Sequence, residues 1–143
     1  MDLDLTATIK NLLEMMGLND LAVNFDSENK KLTVFINEGE WLKKWLPYLV
    51  ADLEHIVRLL TKKHNQENVF VDINNYRKER EEIILQLAKA AAQKALLNKE
   101  EIKLPAMNAY ERRLVHVELA TRPDVKTESI GEGKERYVIV KPI

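Results

Sequence analysis

The chain has 143 residues, a hydrophobic content of 45% and a formal net charge of −1, values ordinary for one globular domain or two small ones. The absence of cysteine excludes disulfide bonds and thiolate metal sites. The sequence has no apolar run of membrane-spanning length, and its opening Met-Asp-Leu-Asp is acidic, unlike a signal peptide. These properties predict a cytoplasmic protein that does not contact a membrane.

The small net charge conceals an asymmetry between the two halves. Residues 1–75 carry 8 lysines and arginines against 12 acidic residues, a net charge of −4. Residues 76–143 carry 14 against 11, a net charge of +3. A polyanionic partner would therefore prefer the C-terminal half.

The first half reads as helix, strand, strand, helix, helix, strand. Apolar spacing predicts a helix over 5–16, and strand-forming residues at 21–25 and 31–36 predict a hairpin. The apolar face of residues 40–63 is interrupted at Pro47, which suits the first turn of a new helix and therefore predicts two helices. Residues 68–73 predict a third strand.

The second half begins with the clearest helix, predicted over 75–97 with Asn75 as its cap. Its predicted apolar stripe consists of Ile83, Ile84, Leu87, Ala91 and Leu96. The basic cluster Arg77, Lys78 and Arg80 lies among glutamates, which is typical of a solvated face. A short strand is predicted at 102–104.

The most specific signal runs from Met107 to His116. Asn108 is a good N-cap, and Glu111 lies three positions later, where it can reach back to the cap amide. On the helix that this predicts from Ala109, Arg112 and His116 lie one turn apart on one face. A guanidinium stacked with an imidazole makes a plausible cradle for a phosphate. Residues 125–130 and 137–140 then predict a final hairpin.

The run Met107-Asn-Ala-Tyr-Glu-Arg-Arg-x-x-His116 is followed by Arg122-Pro-Asp-Val125 and by Thr127-Glu-Ser-x-Gly-Glu-Gly-x-x-Arg136. This pattern closely resembles the Arg-x-x-x-His domain that binds single-stranded nucleic acid, as found at the C-terminus of the bacterial Jag family (KhpB-like, SpoIIIJ-associated proteins). A weaker resemblance to Jag extends over the first half. It implies an α+β fold, with a type II KH-like αββααβ domain over 1–75 and the Arg-x-x-x-His domain over 76–143, including the linking helix 75–97.

The resemblance puts Pro47-Tyr-Leu-Val50 where a KH domain that binds nucleic acid carries its Gly-x-x-Gly loop. Both glycines, which would let the backbone approach phosphates closely, are missing. We therefore expect the KH-like half to keep the fold without the clamp. Trp45 and Leu46 are expected in the core, and Tyr48 with its neighbours in packing or a protein contact.

The sequence contains no recognisable catalytic motif, and His55, His64 and His116 are too scattered for a metal-site motif. We expect no enzyme activity, cofactor or metal. Arg112 is expected to contact a phosphate, with His116 either donating a hydrogen bond or bracing Arg112. Four further residues are candidates for nucleic-acid contacts, Tyr110 by base stacking and the others by charge: Tyr110, Arg113, Lys134 and Arg136.

The resemblance implies a small RNA-binding regulator of bacterial cell elongation, division or shape, with single-stranded RNA, or alternatively DNA, as ligand and a second small KH protein as a candidate partner. The short Pro-Ile end leads us to expect no disordered tail, and we expect the membrane-linked N-terminal segment of some Jag proteins to be absent. The alternative is a protein-interaction adaptor with a vestigial nucleic-acid site, which the altered 47–50 segment favours.

Overall fold

A computed structural model describes residues 4–143 of the chain. Residues 1–3, part of the acidic opening interpreted above as unlike a signal peptide, lie outside the described residues. The chain divides into two compact units, Met1–Lys78 and Glu79–Ile143, and each is described by itself. None of the helices within 4–143 is long and apolar enough to cross a membrane.

The first unit packs two helices with a three-stranded sheet. Its elements are α1 (Leu5–Met15), β1 (Leu21–Asp26), β2 (Lys31–Ile36), α2 (Trp41–Lys63) and β3 (Phe70–Ile73). The sheet order is β1-β2-β3, with β1 and β2 antiparallel and β2 and β3 parallel. The predicted first helix, hairpin and third strand are confirmed.

The prediction of two helices around Pro47 is wrong, because α2 runs through the proline as one helix of 23 residues. The order of this unit is therefore αββαβ. Leu42, Leu46, Val50, Leu53 and Val57 are all buried, and their spacing of three or four residues continues across Pro47. Packing of this continuous stripe outweighs the loss of one helical hydrogen bond at the proline. The segment aligned above with a Gly-x-x-Gly loop is consequently helical.

The core of the first unit is formed by aliphatic residues from every helix and from β2 and β3; its most buried members are Ile9, Leu13, Leu32, Val34, Val50, Val57, Val71 and Ile73. Leu46 joins this core, as expected. The expectation for Trp45 is wrong, since this residue is 51% exposed and Trp41 and Tyr48 are 55% and 64% exposed. These three aromatic residues lie on the outer face of α2.

The chain leaves β3 through two asparagines in left-handed conformations, Asn74 and Asn75. The buried carboxylate of Asp72 accepts hydrogen bonds from the backbone N–H groups of Ile73, Arg77 and Lys78. Asp72 thus caps the next helix, the role that the sequence had suggested for Asn75. A buried carboxylate is well placed there, because free amides and the helix dipole both favour negative charge.

The second unit contains two helices and a three-stranded antiparallel sheet. Helix α3 (Tyr76–Asn98) begins at the end of the first unit and continues into the second. It is followed by β4 (Ile102–Lys103), α4 (Ala109–Ala120), β5 (Val125–Ile130), a short 3₁₀ turn (Gly133–Glu135) and β6 (Tyr137–Pro142). The sheet order is β4-β6-β5. The predicted long helix, short strand, second helix and final hairpin are confirmed.

The core of this unit lies between the helices and the sheet. Helix α3 contributes Ile84 and the small residues Ala88, Ala91, Ala92 and Ala95. Val115 and Leu119 of α4 pack in the same cluster as Val138 and Val140 of β6. The predicted stripe on α3 was wrong at Ile83, which is 62% exposed, because alanines carry the inner face.

Candidate nucleic-acid interface

Helix α4 starts as the sequence predicts, but only half of the expected capping arrangement forms. The Oδ1 atom of Asn108 accepts a hydrogen bond from the N–H of Glu111 at 2.9 Å. The Glu111 side chain does not return to the cap amide and instead accepts a hydrogen bond from Nε of Arg80 at 2.7 Å. A charged guanidinium is a stronger hydrogen-bond donor than a backbone amide, which explains why Glu111 binds Arg80.

A chain of two hydrogen bonds holds Arg112 near Arg136. Nη1 of Arg112 donates to the carbonyl oxygen of Met107 at 2.7 Å. The N–H of Met107 in turn donates to the carbonyl oxygen of Arg136 at 3.0 Å. The segment before α4 is therefore tied to the residue that precedes β6, and Arg112 and Arg136 are brought to one region.

His116 projects from α4 onto β5, where both of its ring nitrogens meet hydroxyl groups. Nδ1 lies 2.7 Å from Oγ1 of Thr127, and Nε2 lies 2.7 Å from Oγ of Ser129. Thr127 and Ser129 are two residues apart on a strand, so their side chains share one face. This geometry matches neither role considered for His116, since both ring nitrogens bind β5 hydroxyls and not Arg112 or an open position.

The surroundings of His116 favour its neutral form. Partial burial is the main cause that lowers its pKa below the ordinary value, and the positive charges of Arg112 and Arg136 lower the pKa further. The same repulsion shows that both guanidinium groups lie close enough to act on one imidazole. Arg112, His116 and Arg136, together with Thr127 and Ser129, are called the arginine–histidine cluster below.

The cations of this cluster are not neutralised by carboxylates. Among residues 4–143, the ion pairs engage other cations: Lys43, Arg58, Arg77, Arg80, Lys89, Arg122 and Lys141. Within the same described range Arg112, Arg113, Lys134 and Arg136 have no such partner. Arg77 and Arg80, which the sequence pattern placed on a solvated face, are ion-paired with Glu54 and Glu111 respectively.

The remaining candidates lie on the surface of the second unit. Arg113 is exposed on α4, and Tyr110 in its first turn is 56% exposed, so its ring does not anchor the helix in the core. Lys134 is exposed in the 3₁₀ turn between β5 and β6. Gly131 has φ +94° there, and an added Cβ would come within 3.4 Å of the Cα of Arg136. A glycine therefore lets the chain reverse tightly before Arg136.

Thr127 and Ser129 were quoted in the sequence pattern but were assigned no function. The sequence signal for these two residues is that hydroxyl side chains occur at alternate positions of one strand, next to a helix that carries a histidine. Strand periodicity places two such hydroxyls on one face, but only the structure shows that this face meets His116.

Two other features of the described residues bear on ligands. No three His, Asp or Glu side chains within 4–143 are grouped closely enough to hold a metal ion. In the first unit, a shallow cavity of about 250 Å³ is lined by Met16, Leu18 and residues of α2 that include Trp41, Trp45 and Asp52.

Comparison with known proteins agrees with the geometry of the second unit. The model of the R-3-H domain family, named for its Arg-x-x-x-His motif, matches residues 82–142, a range that contains all five residues of the arginine–histidine cluster. The second unit is accordingly a domain of this Arg-x-x-x-His family.

Three related proteins, each named RNA-binding protein KhpB, are similar to this chain. The Clostridium symbiosum protein is 30% identical over 148 aligned residues, which cover 92% of this chain and 67% of that protein. The chain belongs to the KhpB family. The Bacillus subtilis protein is 38% identical over 76 residues, covering 52% of this chain and 36% of that protein. The Lactiplantibacillus plantarum protein is 34% identical over 73 residues, covering 51% of this chain and 23% of that protein.

Proposed function

We propose that this chain is a non-enzymatic protein of the cytoplasm that binds single-stranded RNA through the arginine–histidine cluster. The observation that carries the proposal is the presence of two arginines without carboxylate partners around a hydrogen-bonded histidine. Four of the seven arginines pair with carboxylates, whereas Arg112 and Arg136 have no such partner in the described part of the chain, and cations without carboxylate partners are available to a polyanion. The names of the three relatives favour RNA over DNA.

Each candidate residue has a distinct role in this proposal. Arg112 and Arg136 bind one phosphate of the strand from two sides, as guanidinium forks do well. Arg113 and Lys134 bind neighbouring phosphates by charge. Tyr110 offers an exposed ring on which a base can stack, a contact that tolerates any sequence.

Salt dependence tests the site directly. The affinity of the full chain for a fluorescein-labelled oligouridylate is measured by anisotropy over a range of salt concentrations. Each lost phosphate contact should flatten the log–log slope by about 0.7 for a single strand. Arg112→Ala and Arg136→Ala should each weaken binding and flatten the slope by this amount. Single-stranded DNA and duplex RNA as competitors then define the ligand class.

Lys126→Ala is the matched control. Lys126 lies on β5 next to Thr127, but strand alternation directs it to the opposite face of the sheet. The Lys126→Ala variant removes one positive charge from the same strand and should leave the slope of log affinity against log salt concentration unchanged. If the two arginine variants behave like Lys126→Ala, the site lies elsewhere.

For the first unit, we propose a KH-like domain that has lost its phosphate clamp. The αββαβ order and the sheet with one antiparallel and one parallel pair support a KH-like arrangement. The absence of a glycine loop within α2 supports loss of the clamp. Both tryptophans of the chain lie on α2. Saturating RNA should therefore leave tryptophan fluorescence unchanged, whereas strong quenching would show that this unit still contacts RNA.

The second candidate function is a protein-interaction adaptor, and the exposed aromatic residues of α2 favour it. Trp41, Trp45 and Tyr48 are each more than half exposed, an unusual amount of aromatic surface on one helix. A second small KH protein from the same organism is the candidate partner, in a pathway of cell elongation or division. Trp41→Ala combined with Tyr48→Ala should abolish binding to that protein, measured by calorimetry, and leave RNA affinity unchanged. If the double variant binds the purified partner as tightly as the wild type does, this surface is not the binding site for that protein.

A further inference from the structure

The hydrogen bonds of His116 have a consequence for the two hydroxyl groups that it contacts. A neutral imidazole has one N–H donor and one bare nitrogen acceptor. One of the hydroxyls of Thr127 and Ser129 must therefore donate its proton to the ring, while the other accepts from the ring and keeps its own proton. Within residues 4–143 neither hydroxyl has another hydrogen-bond partner, so this retained proton is available to a ligand.

Protonation of the ring changes the number of hydroxyl protons that are available to a ligand. An imidazolium donates from both nitrogens, so both hydroxyls become acceptors toward the ring. Each then keeps its own proton, and the number of hydroxyl donors available to a ligand rises from one to two. The positive charge is added at the same time.

We propose that the hydroxyls of Thr127 and Ser129, oriented by His116, donate hydrogen bonds to a phosphate group of the bound strand, and that binding of this phosphate is coupled to uptake of one proton by His116. This inference rests on the proposed function and deepens it. It makes Thr127 and Ser129 binding residues and His116 a positioning residue that acts through them.

The charges around His116 explain why the proton is taken up on binding and not before. The groups that face the ring are Arg112 of its own helix, Arg136 before β6, and the two β5 hydroxyls. The Glu128 carboxylate, on the other face of β5, is engaged by Lys141 at 2.8 Å. Partial burial, and after it the charges of the two arginines, therefore oppose protonation of His116 in the free protein. A phosphate bound between them supplies the negative charge that offsets this repulsion, so protonation becomes favourable in the complex.

The linkage has a definite sign. A group that takes up a proton on binding makes the affinity rise as the pH falls, by no more than about tenfold per pH unit for a single proton. The rise is confined to the range between the pKa of His116 in the complex and its lower pKa in the free protein. Above that pH range, the hydroxyl that keeps its proton still donates a hydrogen bond to the phosphate and contributes to the affinity.

The test measures the affinity of the full chain for the labelled oligouridylate from pH 8 to pH 5.5 at constant ionic strength. The wild-type affinity should rise with acidity. Thr127→Val combined with Ser129→Ala should weaken binding by about tenfold, the loss expected for a hydrogen bond to a charged group. Thr127→Ser, which keeps the hydroxyl, should bind like the wild type. His116→Gln, whose amide has an acceptor oxygen and a donor NH2 group but cannot take up a proton, should remove the pH dependence of the affinity.

A second readout follows the proton itself. The imidazole of His116 is titrated by NMR with and without the oligouridylate, and the His116→Gln spectrum distinguishes it from His55 and His64. The pKa of His116 should rise when RNA is bound. Equal urea midpoints of the hydroxyl variant and the wild type at pH 8 show that a binding loss is not a folding defect.

The two proposals fail in different ways. If the wild-type chain does not bind the oligouridylate at any pH, the proposed function itself is wrong. If the double hydroxyl variant binds as tightly as the wild type, RNA binding stands and the role of the hydroxyls is overturned. If the wild type binds with an affinity independent of pH, RNA binding stands and the proton coupling is overturned. An unchanged His116 titration in the complex overturns the proton coupling.

Discussion

Nε of Arg80 lies 2.7 Å from Oε2 of Glu111, and this ion pair joins α3 to α4 inside the second unit. Glu111 is 7% exposed and is the residue immediately before Arg112. The pair therefore does more than join two helices. It pairs the carboxylate that directly precedes Arg112 in the chain, a negative charge that would otherwise be unpaired one residue from the arginine of the motif.

Arg80→Ala should destabilise the protein and weaken RNA binding together. The variant leaves a mostly buried carboxylate without its charged donor, which we expect to lower the free energy of unfolding by about 1–3 kcal/mol. The unpaired negative charge also weakens the positive potential around Arg112. Urea denaturation and oligouridylate anisotropy measure the two effects.

Arg80→Ala combined with Glu111→Gln is the matched control, because it removes the stranded charge as well as the arginine. It should recover most of the RNA affinity and part of the stability. If the single variant Arg80→Ala keeps the full RNA affinity, the unpaired charge of Glu111 does not affect RNA binding at Arg112.

The lowered pKa of His116 predicts how stability changes with pH in the absence of RNA. Its pKa in the folded protein lies below the ordinary value of 6.5, so the unfolded chain binds more protons at mildly acidic pH. The stabilisation is complete above pH 6.5 and decreases as the pH falls from there through the folded-state pKa. Urea midpoints of the wild type should decrease over this range.

His116→Gln isolates the contribution of this residue from those of His55 and His64. The variant should show a flatter dependence of the urea midpoint on pH between 7.5 and 5.5. A dependence as steep as that of the wild type would assign the effect to other groups. If the proposed proton coupling holds, acidity should lower the stability of the free protein and raise its affinity for RNA.

The sequence was sufficient to predict most elements because their signals are local. The Asn108 cap and the alternation in β5 and β6 each depend on neighbouring residues in the chain. The partners of the functional side chains could not be predicted in this way. The contacts of Glu111 with Arg80 and of His116 with Thr127 span 31 and 11 positions, and only packing decides between such partners.

Helix α2 shows the opposite case, in which a strong local signal was overridden. Proline disfavours a helix interior, and its position predicted a break between two helices. The buried residues Leu46 and Val50 flank Pro47 at helical spacing, and their burial in the core keeps the chain helical. Trp45 lies on the outer face for the same reason, because a continuous helix turns it away from that stripe.

Pro47→Ala tests this account of α2. If the helix is continuous, alanine restores a hydrogen-bond donor and relieves the clash of the ring with the preceding turn, which costs about 3 kcal/mol in a helix interior. The unfolded chain gains freedom in the variant, which offsets about 0.4–1 kcal/mol. We therefore expect a net increase of about 2 kcal/mol in the free energy of unfolding, measured by urea denaturation followed by circular dichroism.

Pro105→Ala is the control, since Pro105 lies in a non-helical segment. There only the gain of freedom in the unfolded chain applies, so that variant should be slightly less stable than the wild type. A loss of stability in both variants would show that Pro47 begins a separate helix, as its position in the sequence first suggested.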